Sequence, residues 1–148
     1  MSVSSKNNKY IYKIDQTISY QLPLILTRIP AGFPSPADDY VEQKLDLNLF
    51  LIKHPAATFF VRVEGESMTG AGIQSGDMLI VDRALSVTDN AIVLALVNGE
   101  FTVKRIKKIK NKLYLQPENP QFKELEITAD TDFEVWGVVT FVIHNARL

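Results

Sequence analysis

From Thr58 onward the chain is written in short β-branched and aromatic runs, each closed by residues that turn a backbone. The runs at 58–63, 78–81, 91–97, 101–106, 112–116 and 133–143 have strand length and are too brief for packed helices. Between two of them stands Asn98-Gly99, a strong two-residue hairpin signal, because both residues tolerate the positive φ of a tight primed turn. This pattern predicts a mainly β body. At 148 residues the chain is long enough to bury a real core as one ordinary domain, and no internal repeat interrupts it.

The stretch before the body reads differently. Residues 1–31 look like an extended arm: Tyr10-Ile11-Tyr12-Lys13-Ile14 and Leu22-Pro23-Leu24-Ile25-Leu26 can dock as strands, and Pro23 confines its strand to an edge. Gly32-Phe33-Pro34-Ser35-Pro36 then punctuates the chain and marks the boundary with residues 32–148. Ser35 as N-cap, Pro36 at the first helical position and Asp38 behind them predict a short helix over 36–44. A turn or second short helix is expected around Asp46-Leu47-Asn48-Leu49-Phe50.

Composition removes several function classes. Without cysteine there is no disulfide, thiolate metal site or cysteine nucleophile, and His54 and His144 alone make a histidine metal site or a Ser-His-Asp triad improbable. No metal or other cofactor is expected. A net charge of −1 gives no case for strong direct DNA binding or for a membrane surface. Apolar runs are shorter than a bilayer requires and the polar N-terminus lacks a signal-peptide core, so the expected location is cytoplasmic.

Two residues suggest chemistry. Ser67 lies in Gly65-Glu66-Ser67-Met68-Thr69-Gly70, where the glycines permit tight turns. A serine hydroxyl is a poor nucleophile unless a base is within hydrogen-bond reach. Lys104 can be that base if burial makes it neutral. On a strand it shares a face with Thr102 and Ile106, which can exclude water, whereas Phe101, Val103 and Arg105 face the other way. Taken singly, Ser67 reads as a turn residue and Lys104 as a solvated strand lysine. Lys107, Lys108 and Lys110 read as a solvated edge, Asp77 and Asp82 as solvated strand ends, Glu118-Asn119-Pro120 as a loop, His54 as an exposed loop residue and His144 as unpartnered. Upstream, Ala31-Gly32 offers a small-residue bond, and the three features together suggest a protein that cuts itself.

These motifs also occur in a known order. Ala31-Gly32-Phe33-Pro34-Ser35-Pro36-Ala37, Asp46-Leu47-Asn48, His54-Pro55, Gly65-Glu66-Ser67-Met68, Gly76-Asp77-Met78-Leu79-Ile80-Val81-Asp82, Gly99-Glu100-Phe101-Thr102-Val103-Lys104 and Pro117-Glu118-Asn119-Pro120 follow one another. Over residues 31–148 the chain resembles UmuD-type subunits of the error-prone translesion polymerase and, more distantly, the self-cleaving domain of LexA-type repressors, the S24 peptidases. The resemblance implies a LexA/signal-peptidase-like β-rich catalytic and dimerisation domain with Ser67 as nucleophile and Lys104 as general base. It implies an oxyanion hole from the backbone N–H groups of Ser67 and Glu66, and a cut between Ala31 and Gly32 that removes residues 1–31. The implied partners are a second copy, the RecA filament on single-stranded DNA as trigger, and a Y-family polymerase catalytic subunit of the UmuC type. Ala31 stands where the best-known UmuD has cysteine, and Pro30 before it lacks an N–H donor and fixes φ.

Two other readings use the same residues. A type I signal peptidase shares the Ser-Lys chemistry, but the missing membrane anchor argues against it and leaves a soluble signal-peptidase-like protease as the form of that reading. A non-cleaving dimeric binding module of the same fold would be free to lose Ser67 or Lys104, and both are present. The arm is too short for the DNA-binding domain of a repressor.

Overall fold

The computed structural model describes residues 2–3, 12–13, 21–25, 29, 31–32 and 42–147. They fall into two units, residues 1–14 with 54–148 and residues 15–53.

In the first unit, β1 (Ser2–Val3) and β2 (Tyr12–Lys13) form a two-stranded ladder. In the second, β3 (Gln21–Ile25) pairs antiparallel with β4 (Glu42–Asp46) over five residues, with Pro23 opposite Lys44. The expected helix over 36–44 is not formed at 42–44, where the chain is strand, and its remainder lies outside the described residues. The short helix comes next, as α1 (Leu47–Leu51). Asp46 starts it, its carboxylate accepting from Asn48 N at 2.9 Å, as an N-cap should.

The remaining strands are β5 (Thr58–Arg62), β6 (Met78–Asp82), β7 (Ile92–Val97), β8 (Glu100–Ile109), β9 (Lys112–Gln116), β10 (Leu125–Ile127) and β11 (Phe133–Ile143). They form one antiparallel sheet in the order β10-β9-β8-β7-β11-β6-β5. Alternation gives the sheet two apolar faces. Phe59, Leu79, Val81 and Leu94 join Met68 and Ile73 in one core, while Val93, Ala95, Ile106 and Leu115 form another. The β7–β8 turn is the expected one, with Asn98 at φ 47° and Gly99 at φ 85°. A second such turn at Lys110-Asn111 (φ 49° and 67°) joins β8 to β9. Lys107 and Lys108 lie where β8 overhangs β7 beyond Arg105, with Lys110 in the turn that follows, and the Asp89 carboxylate accepts from Lys108 N there.

β11 curls the sheet. Its first half pairs with β7 and its second half with β6, and the register shifts at 135–137 and again at 139–141. Such bulges bend a strand and increase its twist. Gly137 sits at the first shift, where an added Cβ would lie 2.6 Å from Val81 Cγ1 and 3.1 Å from Asp82 O. Gly137→Ala is therefore expected to destabilise the protein by about 1–3 kcal/mol, the usual cost of overpacking. Urea unfolding measures it as a lowered midpoint at unchanged slope.

Two expectations are corrected at the ends of β6. Asp77 and Asp82 do not solvate the strand ends; they are only 2% and 3% exposed. A buried carboxylate needs partners. Asp77 accepts from Gln74 N at 2.8 Å and lies 2.6 Å from His144 Nδ1, and these contacts, the Gln74 amide first, hold its carboxyl below the usual value. Asp82 accepts from Ala84 N at 2.8 Å and lies 2.6 Å from His54 Nδ1. Both histidines are thus partnered, one at each end of the strand.

Candidate active site

Ser67 comes from the turn after β5, in a stretch that no strand regularises. Gly65, at φ 100°, lets the chain reverse just before it, and a short 3₁₀ turn (Thr69–Ala71) follows. Met68 anchors the turn from below, almost fully buried in the core. Lys104 comes from β8, directly opposite the buried Val93 of β7 and one alternation from the buried Ile106.

These two residues, 37 positions apart in sequence, meet. Lys104 Nζ lies 3.0 Å from Ser67 Oγ, and both side chains are half-buried. Burial lowers the pKa of Lys104 from its ordinary 10.5, because removing water disfavours the ammonium. Among the described residues no carboxylate is within ion-pair distance of Nζ to offset this. Two further contacts orient the amine: Thr102 Oγ1 at 2.7 Å and Val103 O at 3.1 Å. Alternation marks Thr102 as a neighbour that can exclude water, and its position two residues earlier on the same strand face also allows this direct contact.

Three contacts around one nitrogen have a chemical meaning. A neutral amine has two N–H donors and one lone pair. With the donors spent on Thr102 Oγ1 and Val103 O, the lone pair is left for the Ser67 hydroxyl proton. The arrangement can therefore activate a serine without histidine.

A cleft of about 490 Å³ opens beside Lys104, with Val97, Phe101, Leu115 and Leu125 among its walls. Of the other residues singled out in sequence, Glu66 is exposed and its carbonyl accepts from Thr69 N and from Asn119 Nδ2. Among the described residues neither the Ser67 nor the Glu66 N–H donates a hydrogen bond. Ala31 and Gly32 form an exposed bend of the other unit, and a Cβ at Gly32 would meet nothing within 4 Å.

The segment 117–120 does more than close a loop. Glu118 N donates to Ser67 O at 2.8 Å and Gly70 N donates to Glu118 O at 2.7 Å. A Cβ on Gly70 would stand 2.5 Å from Glu118 O, so a glycine is needed at this close approach.

Comparison with known proteins sets this geometry in a family. Residues 23–140 match the family described as Peptidase S24-like, a span that includes Ser67, Lys104, the Ala31-Gly32 bond and the 117–120 segment. The chain belongs to the S24 peptidases. Protein ImpA of Salmonella typhimurium is 50% identical over 131 residues, 87% of this chain and 88% of ImpA. Protein MucA of the same organism is 44% identical over 122 residues, 82% of this chain and 83% of MucA. The LexA repressor of Colwellia psychrerythraea is 40% identical over 129 residues, 85% of this chain but 59% of that repressor. The resemblance to UmuD-type and LexA-type S24 peptidases, drawn from the ordered motifs, is borne out, as is the mainly β fold. The S24 membership places the chain among serine peptidases. Among the described residues no helix is long and apolar enough to cross a membrane.

Proposed function

We propose that this chain is a self-cleaving serine peptidase of the SOS response whose substrate is its own Ala31-Gly32 bond. The observation that carries the reading is the contact of a desolvated Lys104 amine with Ser67 Oγ in a member of a peptidase family.

The chemistry follows from the contacts. Neutral Lys104 takes the hydroxyl proton as Ser67 Oγ adds to the carbonyl carbon of Ala31. The oxyanion is received by the backbone N–H of Ser67 with that of Glu66, and their lack of acceptors among the described residues supports the role. Lys104 then gives the proton to the Gly32 nitrogen as the C–N bond breaks, leaving Ala31 esterified to Ser67. Water, losing a proton to Lys104, hydrolyses the ester and frees the Ala31 carboxylate. Small side chains at 31 and 32 and an exposed bend favour close approach of this bond to a serine.

The same reading makes the RecA filament on single-stranded DNA the trigger. It acts by favouring the conformation in which the 31–32 segment occupies the site, a population shift that supplies no new chemistry. The shortened product, a homodimer in the cytoplasm, serves as accessory subunit of a Y-family translesion polymerase. Similarity to ImpA, MucA and LexA supports this assignment. Incubation with activated RecA filament, followed by denaturing and native mass spectrometry, is expected to give a body that starts at Gly32 and has twice the body's mass when native. A stable cut at another bond, or a monomeric product, would overturn the corresponding part.

A further inference from the structure

The nucleophile turn is irregular backbone, so something outside it must fix Ser67 at 3.0 Å from Lys104. Met68 anchors it from the core side. Apart from the bond of Gly65 N to Ser75 Oγ at its start, the ties described on its outer side come from one short segment. β9 ends at Gln116, paired with Arg105, so the chain leaves the sheet at the level of Lys104. It then crosses the turn, making the Glu118–Ser67 and Glu118–Gly70 backbone bonds. Asn119 adds a third tie: Nδ2 donates to Glu66 O at 2.9 Å and reaches Thr69 Oγ1 at 3.4 Å. Its amide orientation follows from its other end, because Asn119 Oδ1 accepts from Gln121 N at 3.0 Å. Arg105, the neighbour of Lys104 on β8, binds the Glu118 carboxylate through Nε and Asn90 O through Nη1. The strand that carries the base and the turn that carries the nucleophile are thereby tied through one residue.

We propose that Asn119, together with the Arg105–Glu118 ion pair, is a positioning clamp that sets the distance between Ser67 and Lys104. It rests on the reading of these two as the catalytic pair. Neither Asn119 nor Arg105 touches the reacting atoms; both act through the turn.

The test is Asn119→Asp, which keeps the shape and the Gln121 contact but replaces the donor at Glu66 O with an acceptor. Self-cleavage is followed across pH, alongside thermal melting and amide hydrogen exchange at Gly70. Misplacement of reacting groups by about 1 Å can cost on the order of a hundredfold. The plateau rate is expected to fall by about tenfold or more on that scale, with the midpoint in pH and the melting temperature unchanged and Gly70 exchanging faster. Arg105→Leu should give a similar loss, and the double variant should be no worse than the slower single, because both act on one turn. A plateau within about twofold of the parent in Asn119→Asp, where neighbours in one network should couple, would overturn the clamp. So would a shifted midpoint, or a loss that follows reduced thermal stability. An uncut parent with faster Gly70 exchange in the variant would instead overturn the catalytic pair and leave the clamp standing.

Discussion

Ser67→Ala and Lys104→Ala are each expected to leave Ala31-Gly32 uncut over a period in which the parent is cut completely. Nucleophile and base work as a unit, so removal of either costs nearly as much as removal of both, about a thousandfold or more in comparable pairs. The double variant should accordingly be no slower than either single. Ser67 is half-buried at the surface of a turn held by Met68 and by the 117–120 segment, so its loss leaves the fold in place. Circular dichroism and native mass checks that point. Normal cleavage by Ser67→Ala would place the nucleophile elsewhere.

The second large effect is in pH. A lysine with its ordinary pKa of 10.5 is almost wholly protonated at neutral pH and cannot accept the Ser67 proton. Burial lowers this value, and only the deprotonated form is active, so spontaneous cleavage should rise with pH through the folded pKa and level off above it. The sign for stability agrees: the unfolded chain binds this proton more tightly, so folding gains with rising pH between the lowered value and 10.5. Rates from pH 6 to 11 give the profile. Lys104→Arg should stay inert throughout, since guanidinium does not deprotonate in this range. A flat parent profile or an active arginine variant would rule out the neutral lysine.

Much of the body is legible in the sequence because its information is local. The strands at 58–62, 78–82, 92–97 and 133–143 announce themselves by β-branched runs, and Asn98-Gly99 by turn chemistry. Residues 125–127 escape such reading because three residues carry no period. Lys110 in a left-handed turn escapes because lysine has no preference for it. The contacts of His54 with Asp82 and of His144 with Asp77 span 28 and 67 positions, and separations of that size leave no pattern along a chain. The same holds for Ser67 and Lys104. Strand alternation indicates which face Lys104 takes, and a serine that needs a base suggests its pairing with Ser67, but neither marks the grip of Asn119 on Glu66.

The β3–β4 ladder has a consequence for the fate of the cut ends. Hydrolysis after Ala31 would put Gln21–Ile25 and Glu42–Asp46 on separate polypeptides while their five paired positions stay in register. Within one chain the short connection keeps each strand at a high effective concentration near the other, typically on the order of millimolar. Severed, the ladder would lose that connection, and a two-stranded ladder is by itself marginal in water. β2, which packs against β5 in the first unit, would remain a second hold on the severed segment. Religation would require both ends to return to the site together, so a weakened β3–β4 pairing would add to the preference of a peptide bond for hydrolysis in water.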